Sequence, residues 1–120
     1  MRIVIDLDGT ICPIRAENQT YADLIPHEGS ASRISELRKD GHYIIIQTAR
    51  NMGTQQSNLG RVVKNIGKVT LDWLEKHQIE YDEIYFGKPN ADIYIDDRAL
   101  RYDSWENIDI TLIKQLAKEK

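Results

Sequence analysis

The chain has 120 residues, 41% of them hydrophobic, and its 16 basic against 19 acidic side chains leave a formal net charge of −3. That length suits a single domain, 1–120, with a real core. The charge balance excludes the electrostatic footprint of a nucleic-acid binder, the single cysteine excludes an internal disulfide and fits a reducing compartment, and no apolar run approaches a membrane span.

The first element is Arg2 to Leu7. Ile3-Val4-Ile5 is a β-branched run that reads as a buried strand. It runs directly into Asp6-Leu7-Asp8-Gly9-Thr10, so the apolar stretch is far too short for a secretory leader, and a soluble cytoplasmic protein is expected. An extended chain puts Asp6 and Asp8 on one face. Two like charges held together need a cation or a shared proton, most simply Mg2+ with its hard oxygen ligands. An EF-hand loop counted from Asp6 would place Glu17 at position twelve. However, Thr10, Cys12 and Ile14 fall on other ligand positions and the flanks are strand-like, so that reading fails. Cys12 has no His in a recognisable partner motif and reads as a structural thiol.

Residues 9–27 form a connection too long for a plain turn, with Tyr21, Leu24 and Ile25 giving it enough apolar content to fold as a flap. Residues 30–40 read as a helix, capped by Ser30 or Ser32, striped by Ile34 and Leu37 and stopped by Gly41. His42 to Ile46 form the core of a second buried strand that ends in Thr48 and Arg50. Residues 51–60 are a polar loop. A second helix is expected from about Val62 to His77, with Gly60 and Gly67 blurring its start and Trp73 in the core. Ile79 and Tyr81–Phe86 suggest a third strand, and Gly87-Lys88-Pro89-Asn90 a turn. Ala91 to Asp96 reads as a fourth strand ending in Asp96-Asp97. A short segment near 108–110 and a helix from Leu112 to Lys118 complete the chain.

Alternating strands and helices with continuous apolar strands predict an α/β fold with a mainly parallel sheet. Ligands of such sheets bind beyond the carboxyl ends of the strands. Asp6/Asp8, Thr48/Arg50 and Asp96/Asp97 all close predicted strands, and Lys88 follows another. At such a site Asp6 could attack phosphorus, Asp8 could move the proton, Thr48 could donate to a phosphoryl oxygen, Lys88 could neutralise charge and the acidic pair could bind Mg2+. Arg50 is favoured for substrate contact because it follows Thr48 so closely.

DLDGT at 6–10, the IIIQTAR strand end, GKP with Lys88 and YIDD with Asp96-Asp97 resemble, in order, the four signature motifs of the haloacid dehalogenase superfamily. TARN at 48–51 and YDEIYFGKP at 81–89 resemble the small capsule-biosynthesis phosphatases within it. The resemblance implies a Rossmann-like three-layer sandwich, with residues 9–27 as squiggle and flap and no large cap domain. It implies Asp6 as nucleophile, Asp8 as general acid/base, and Thr48, Ala49, Arg50 and Lys88 as substrate contacts. Mg2+ would be held by Asp6, the Asp8 carbonyl, Asp96 and Asp97, with the direct ligand of the last two left open. The expected activity is Mg2+-dependent hydrolysis of a phosphorylated sugar or small polyol of surface polysaccharide synthesis. A phosphoprotein phosphatase and a non-catalytic, receiver-like module are the alternatives. No nucleic-acid or membrane partner is expected, and the oligomeric state stays open.

Overall fold

The computed structural model describes residues 1–118. It contains β1 (Arg2–Asp6), α1 (Ser30–Lys39), β2 (Tyr43–Thr48), α2 (Leu59–Lys76), β3 (Glu83–Phe86) and α3 (Ile110–Lys118), with short 3-10 turns at Tyr21–Asp23 and Trp105–Asn107. The three strands form one parallel sheet in the order β1-β2-β3, with Ile5 beside Ile46 and Ile46 beside Ile84. The α/β class and the parallel sheet expected from the sequence are both present.

Alternation sorts the strand residues onto two faces. Ile3, Ile5, Ile44, Ile46 and Ile84 point into one core with Ile34 and Leu37 of α1 and Trp73 and Leu74 of α2. Both helices join neighbouring strands in the same direction, and right-handed crossovers put such helices on one face. Each fully buried Leu or Ile here contributes about 1.5–3 kcal/mol of transfer free energy. The opposite face is thinly covered, with Val4, Tyr43 and Tyr85 exposed on it.

Two local expectations change. Neither Ser30 nor Ser32 caps α1. Gly29 takes the cap position at φ 87, and Ser32 Oγ donates to the Gly29 carbonyl at 3.2 Å. A left-handed φ of that kind is cheap only for glycine. The start of α2 lies earlier than expected, because Asn58 caps it by accepting from Arg61 N at 3.1 Å, leaving Gly60 inside the first turn.

The largest correction concerns Ala91–Asp96, which forms no strand. Every residue from Pro89 to Arg101 is exposed. The reason lies in chain length. Four residues separate Phe86 from Ala91, and joining two parallel strands takes a crossover of about a dozen residues or more.

The chain is tied down again beyond this segment. Trp105 is buried, and its Nε1 donates to the Thr10 carbonyl at 2.9 Å. Tyr102 stacks on His27 with ring centroids 5.9 Å apart. Trp73, expected in the core, is there, and its Nε1 donates to the Leu24 carbonyl at 2.7 Å.

Candidate active site

β1 ends in a turn that folds back on itself. The Leu7 carbonyl accepts from the amides of Thr10, Ile11 and Cys12, and Gly9, at φ 89, donates to the Cys12 carbonyl at 2.7 Å. This turn presents Asp6 and Asp8 at the carboxyl end of the sheet, where Thr48 closes β2.

Lys88 reaches the same place from β3. Gly87 N and Lys88 N both donate to the Thr48 carbonyl, at 3.1 and 3.0 Å. The Lys88 ammonium then lies 3.2 Å from Asp6 Oδ1. Gly87 suits this turn because its φ is 101, a left-handed conformation that favours glycine. Burial raises the Asp6 carboxyl above its ordinary pKa, and the Lys88 charge pulls it only part of the way back.

Asp8 is held differently. Arg50 Nε donates to Asp8 Oδ2 at 2.9 Å and Arg50 Nη2 to Oδ1 at 2.9 Å, a two-pronged charged pair. Thr48 Oγ1 donates to Asp8 Oδ2 at 3.4 Å and accepts from Arg50 N at 3.0 Å. Arg50 is 3% exposed. Its Nη1 donates to Thr70 Oγ1 at 3.1 Å, and its guanidinium lies 4.1 Å from the centre of the Tyr21 ring. An Arg so enclosed is a fixed support for Asp8. The Cys12 thiol donates to Asp8 Oδ1 at 3.5 Å, and burial pushes its pKa up to about 12, which keeps it protonated and unreactive.

Of the residues singled out in the sequence, Asp6, Asp8, Thr48, Arg50 and Lys88 therefore come together. Ala49 is half-buried beside them and packs against the cluster of Met52, Val62 and Ile66. Asp96 and Asp97 do not join them. Asp96 Oδ1 accepts from Arg98 N at 2.7 Å, Asp97 faces Arg98 Nε at 3.9 Å, and both acids are exposed. Among the described residues, no three His, Cys, Asp or Glu side chains converge where a metal ion could sit. Of the four expected ligands, only Asp6 and the Asp8 carbonyl lie at this end of the sheet, because Asp96 and Asp97 face Arg98 instead. The donors gathered by one chain do not fit the Mg2+ set.

Two contributors were missed in the sequence. Thr70 carried a signal: it is a hydroxyl in helical phase with Ile66 and Trp73 on the buried side of α2. Tyr21 read only as apolar filling for the 9–27 connection, yet it covers Arg50. A depression of about 460 Å3 lined by Arg38, His42, Tyr43 and Asp82 lies at the start of β2, at the opposite end of the sheet from Asp6. Arg38 is paired there with Asp82 at 2.8 Å and with Glu80 at 3.9 Å.

No family model and no curated protein matches the chain. Among solved structures it is similar to the crystal structure of an MCSG target from Vibrio cholerae. The two share 36% identity with a TM-score of 0.86, over 99% of this chain and 98% of that one. The two chains belong to one family. The description of the Vibrio cholerae protein names no activity. No helix among the described residues is long and apolar enough to cross a membrane.

Proposed function

We propose that the chain is a phosphomonoesterase of the haloacid dehalogenase type that works through a phosphoaspartate on Asp6. The supporting observation is the pairing at the carboxyl end of β1: a partly buried carboxylate 3.2 Å from an ammonium, with a second carboxylate two residues on. In this reading Asp6 Oδ attacks the phosphorus and the bond from phosphorus to the ester oxygen breaks. The leaving oxygen takes a proton from Asp8. Asp8 then accepts a proton from water as that water attacks the phosphoaspartate, releasing phosphate and restoring Asp6. Lys88 offsets the charge of the phosphoryl group and of the nucleophile. Thr48 and Arg50 orient Asp8, and Arg50 must release one carboxylate oxygen for the proton to transfer.

The Rossmann-like sandwich with a squiggle and flap in residues 9–27 belongs to the same proposal, as does the need for Mg2+. Among the described residues, one chain does not assemble the metal's ligands. A phosphorylated sugar or polyol of surface polysaccharide synthesis is the substrate class we assign. It rests on the likeness of TARN and YDEIYFGKP to the capsule-biosynthesis phosphatases.

One observation favours a second reading. If Arg50 keeps Asp8 from activating water, the aspartyl phosphate would persist, as in a regulatory module. A single assay separates the two. With Mg2+ and an aryl phosphate, wild-type protein should release phosphate continuously, and Asp6→Asn should lose at least about 10³-fold in rate. Equal release by both proteins would sink the covalent mechanism. One phosphate taken up per chain and then retained would support the regulatory reading.

A further inference from the structure

β1 lies at one side of the sheet, and among the described residues no strand covers its outer edge. Val4, at the middle of that strand, is 53% exposed. An open edge offers a row of N–H and C=O groups to any chain able to pair with it. The same molecule carries a strand-patterned segment that pairs with no strand among the described residues. In Ala91–Asp97 the residues Ile93 and Ile95 are 72% and 95% exposed. The candidate site at the end of β1 also lacks the carboxylates that this segment carries at its own end.

The chain cannot bring its own segment to that edge in the parallel sense. Lys88 is held at Thr48 by the bond from its amide to the Thr48 carbonyl. A parallel pairing that sets Asp96 beside Asp6 sets Asp92 beside Arg2. Thr48 stands level with Leu7, one residue beyond the Asp6–Gln47 pair, and Arg2 lies five residues further down. That descent is about 16 Å, and two strand spacings across add about 10 Å, so the gap is about 19 Å. The four residues from Lys88 to Asp92 span at most about 14 Å. Its own segment could reach the edge only in the antiparallel sense, which would carry Asp96 and Asp97 away from Asp6.

We infer that a second copy of this chain supplies the missing strand: its Ala91–Asp97 pairs parallel with β1 and brings Asp96 and Asp97 to Asp6 and Asp8, and the exchange is reciprocal. The side-chain pattern selects the register. With Asp96 beside Asp6, Ile95 falls beside Ile5 and Ile93 beside Ile3, on the face that forms the core. Tyr94 falls beside Val4 on the opposite face, and Asp92 beside Arg2 makes an opposite-charge pair. A slip of one residue would turn both isoleucines to the thinly covered face and Asp92 and Asp96 to the core. The two-fold exchange closes, so the β1 edge of each copy is paired by the segment of the other. The completed site then has the further carboxylates that the single chain lacks. This last clause rests on the phosphatase reading, whereas the strand exchange does not.

Two experiments on the full chain keep the two claims apart. First, Val4→Cys combined with Tyr94→Cys puts thiols on two exposed positions that the exchange brings side by side. Oxidation should give a covalent dimer that reductant reverses, while either single variant should not cross-link to the same extent. A monomer on oxidation, with light scattering also reporting a monomer at assay concentration, would overturn the inference. Second, Asp6→Asn and the double variant Asp96→Asn/Asp97→Asn, each inactive alone, should recover activity when co-refolded. Random pairing makes half the dimers mixed with one intact site in each, so recovery should approach about a quarter of wild type. No recovery from variants that do cross-link would place the acids outside the site and remove that part of the inference. Cross-linking in a protein that releases no phosphate in any form would uphold the exchange and sink the phosphatase reading.

Discussion

The polar groups around Asp8 and the apolar groups of residues 89–101 are opposites in how they are satisfied. Arg50 is buried, yet each of its three side-chain nitrogens donates to an acceptor, an Asp8 oxygen or Thr70 Oγ1, and its guanidinium lies over the face of Tyr21. Ile95 is apolar and stands almost wholly in water. The first region spends desolvation energy and recovers it through charged hydrogen bonds within one chain. The second leaves apolar surface that none of the described residues covers, the mark of a binding surface on a folded protein. A single chain is thus complete at Asp8 and incomplete at β1's outer edge.

The contrast predicts unequal responses to substitution. Arg50→Ala should have the largest effect, because it strands Asp8 and Thr70 without their donor. We expect a loss of about 3–5 kcal/mol in urea unfolding, the usual cost of breaking a buried charge pair from one side. A loss under about 1 kcal/mol would mean that water replaces the guanidinium freely. Next comes a matched pair of isoleucines. Ile46→Ala should cost about 2–5 kcal/mol at every protein concentration. Ile95→Ala, measured at a dilution where only monomer is present, should fall within about 0.5 kcal/mol of wild type. If strand exchange occurs, the cost of Ile95→Ala grows as protein concentration rises, since the variant weakens association.

The smallest expected effect concerns Asp6. Its folded pKa is raised above 3.8, chiefly by burial, so the folded chain holds this proton more tightly than the unfolded one. The stability tied to this group is full below the unfolded pKa. It is lost as pH climbs from there through the raised folded value. Urea midpoints measured across that window should fall with pH more steeply for wild type than for Asp6→Asn. Parallel curves would show that Lys88 fully compensates for the burial.

The three parallel strands were legible because their apolar runs are short, β-branched and bounded by turns. Asp6, Thr48 and Lys88 were legible because each follows such a run and the ends of parallel strands converge. Residues 91–96 have the same local pattern, and pattern alone suggested a strand in the sheet of the same chain. The opposing signal was also in the sequence: GKPN is too short to carry a chain back to the start of a parallel neighbour. Arg50 was read as a substrate contact because its position after Thr48 was visible. Its partners Asp8, Thr70 and Tyr21 lie 42, 20 and 29 residues away, so no local pattern announced the burial.

Trp105 donates its indole N–H to the Thr10 carbonyl. With Lys88 fastened at Thr48, that bond anchors both ends of the excursion on the body of the molecule. Trading such a loop between two copies requires neither body to unfold. Assembly should therefore follow second-order kinetics set by encounter, and diluted dimers should separate without passing through the slow step of global unfolding.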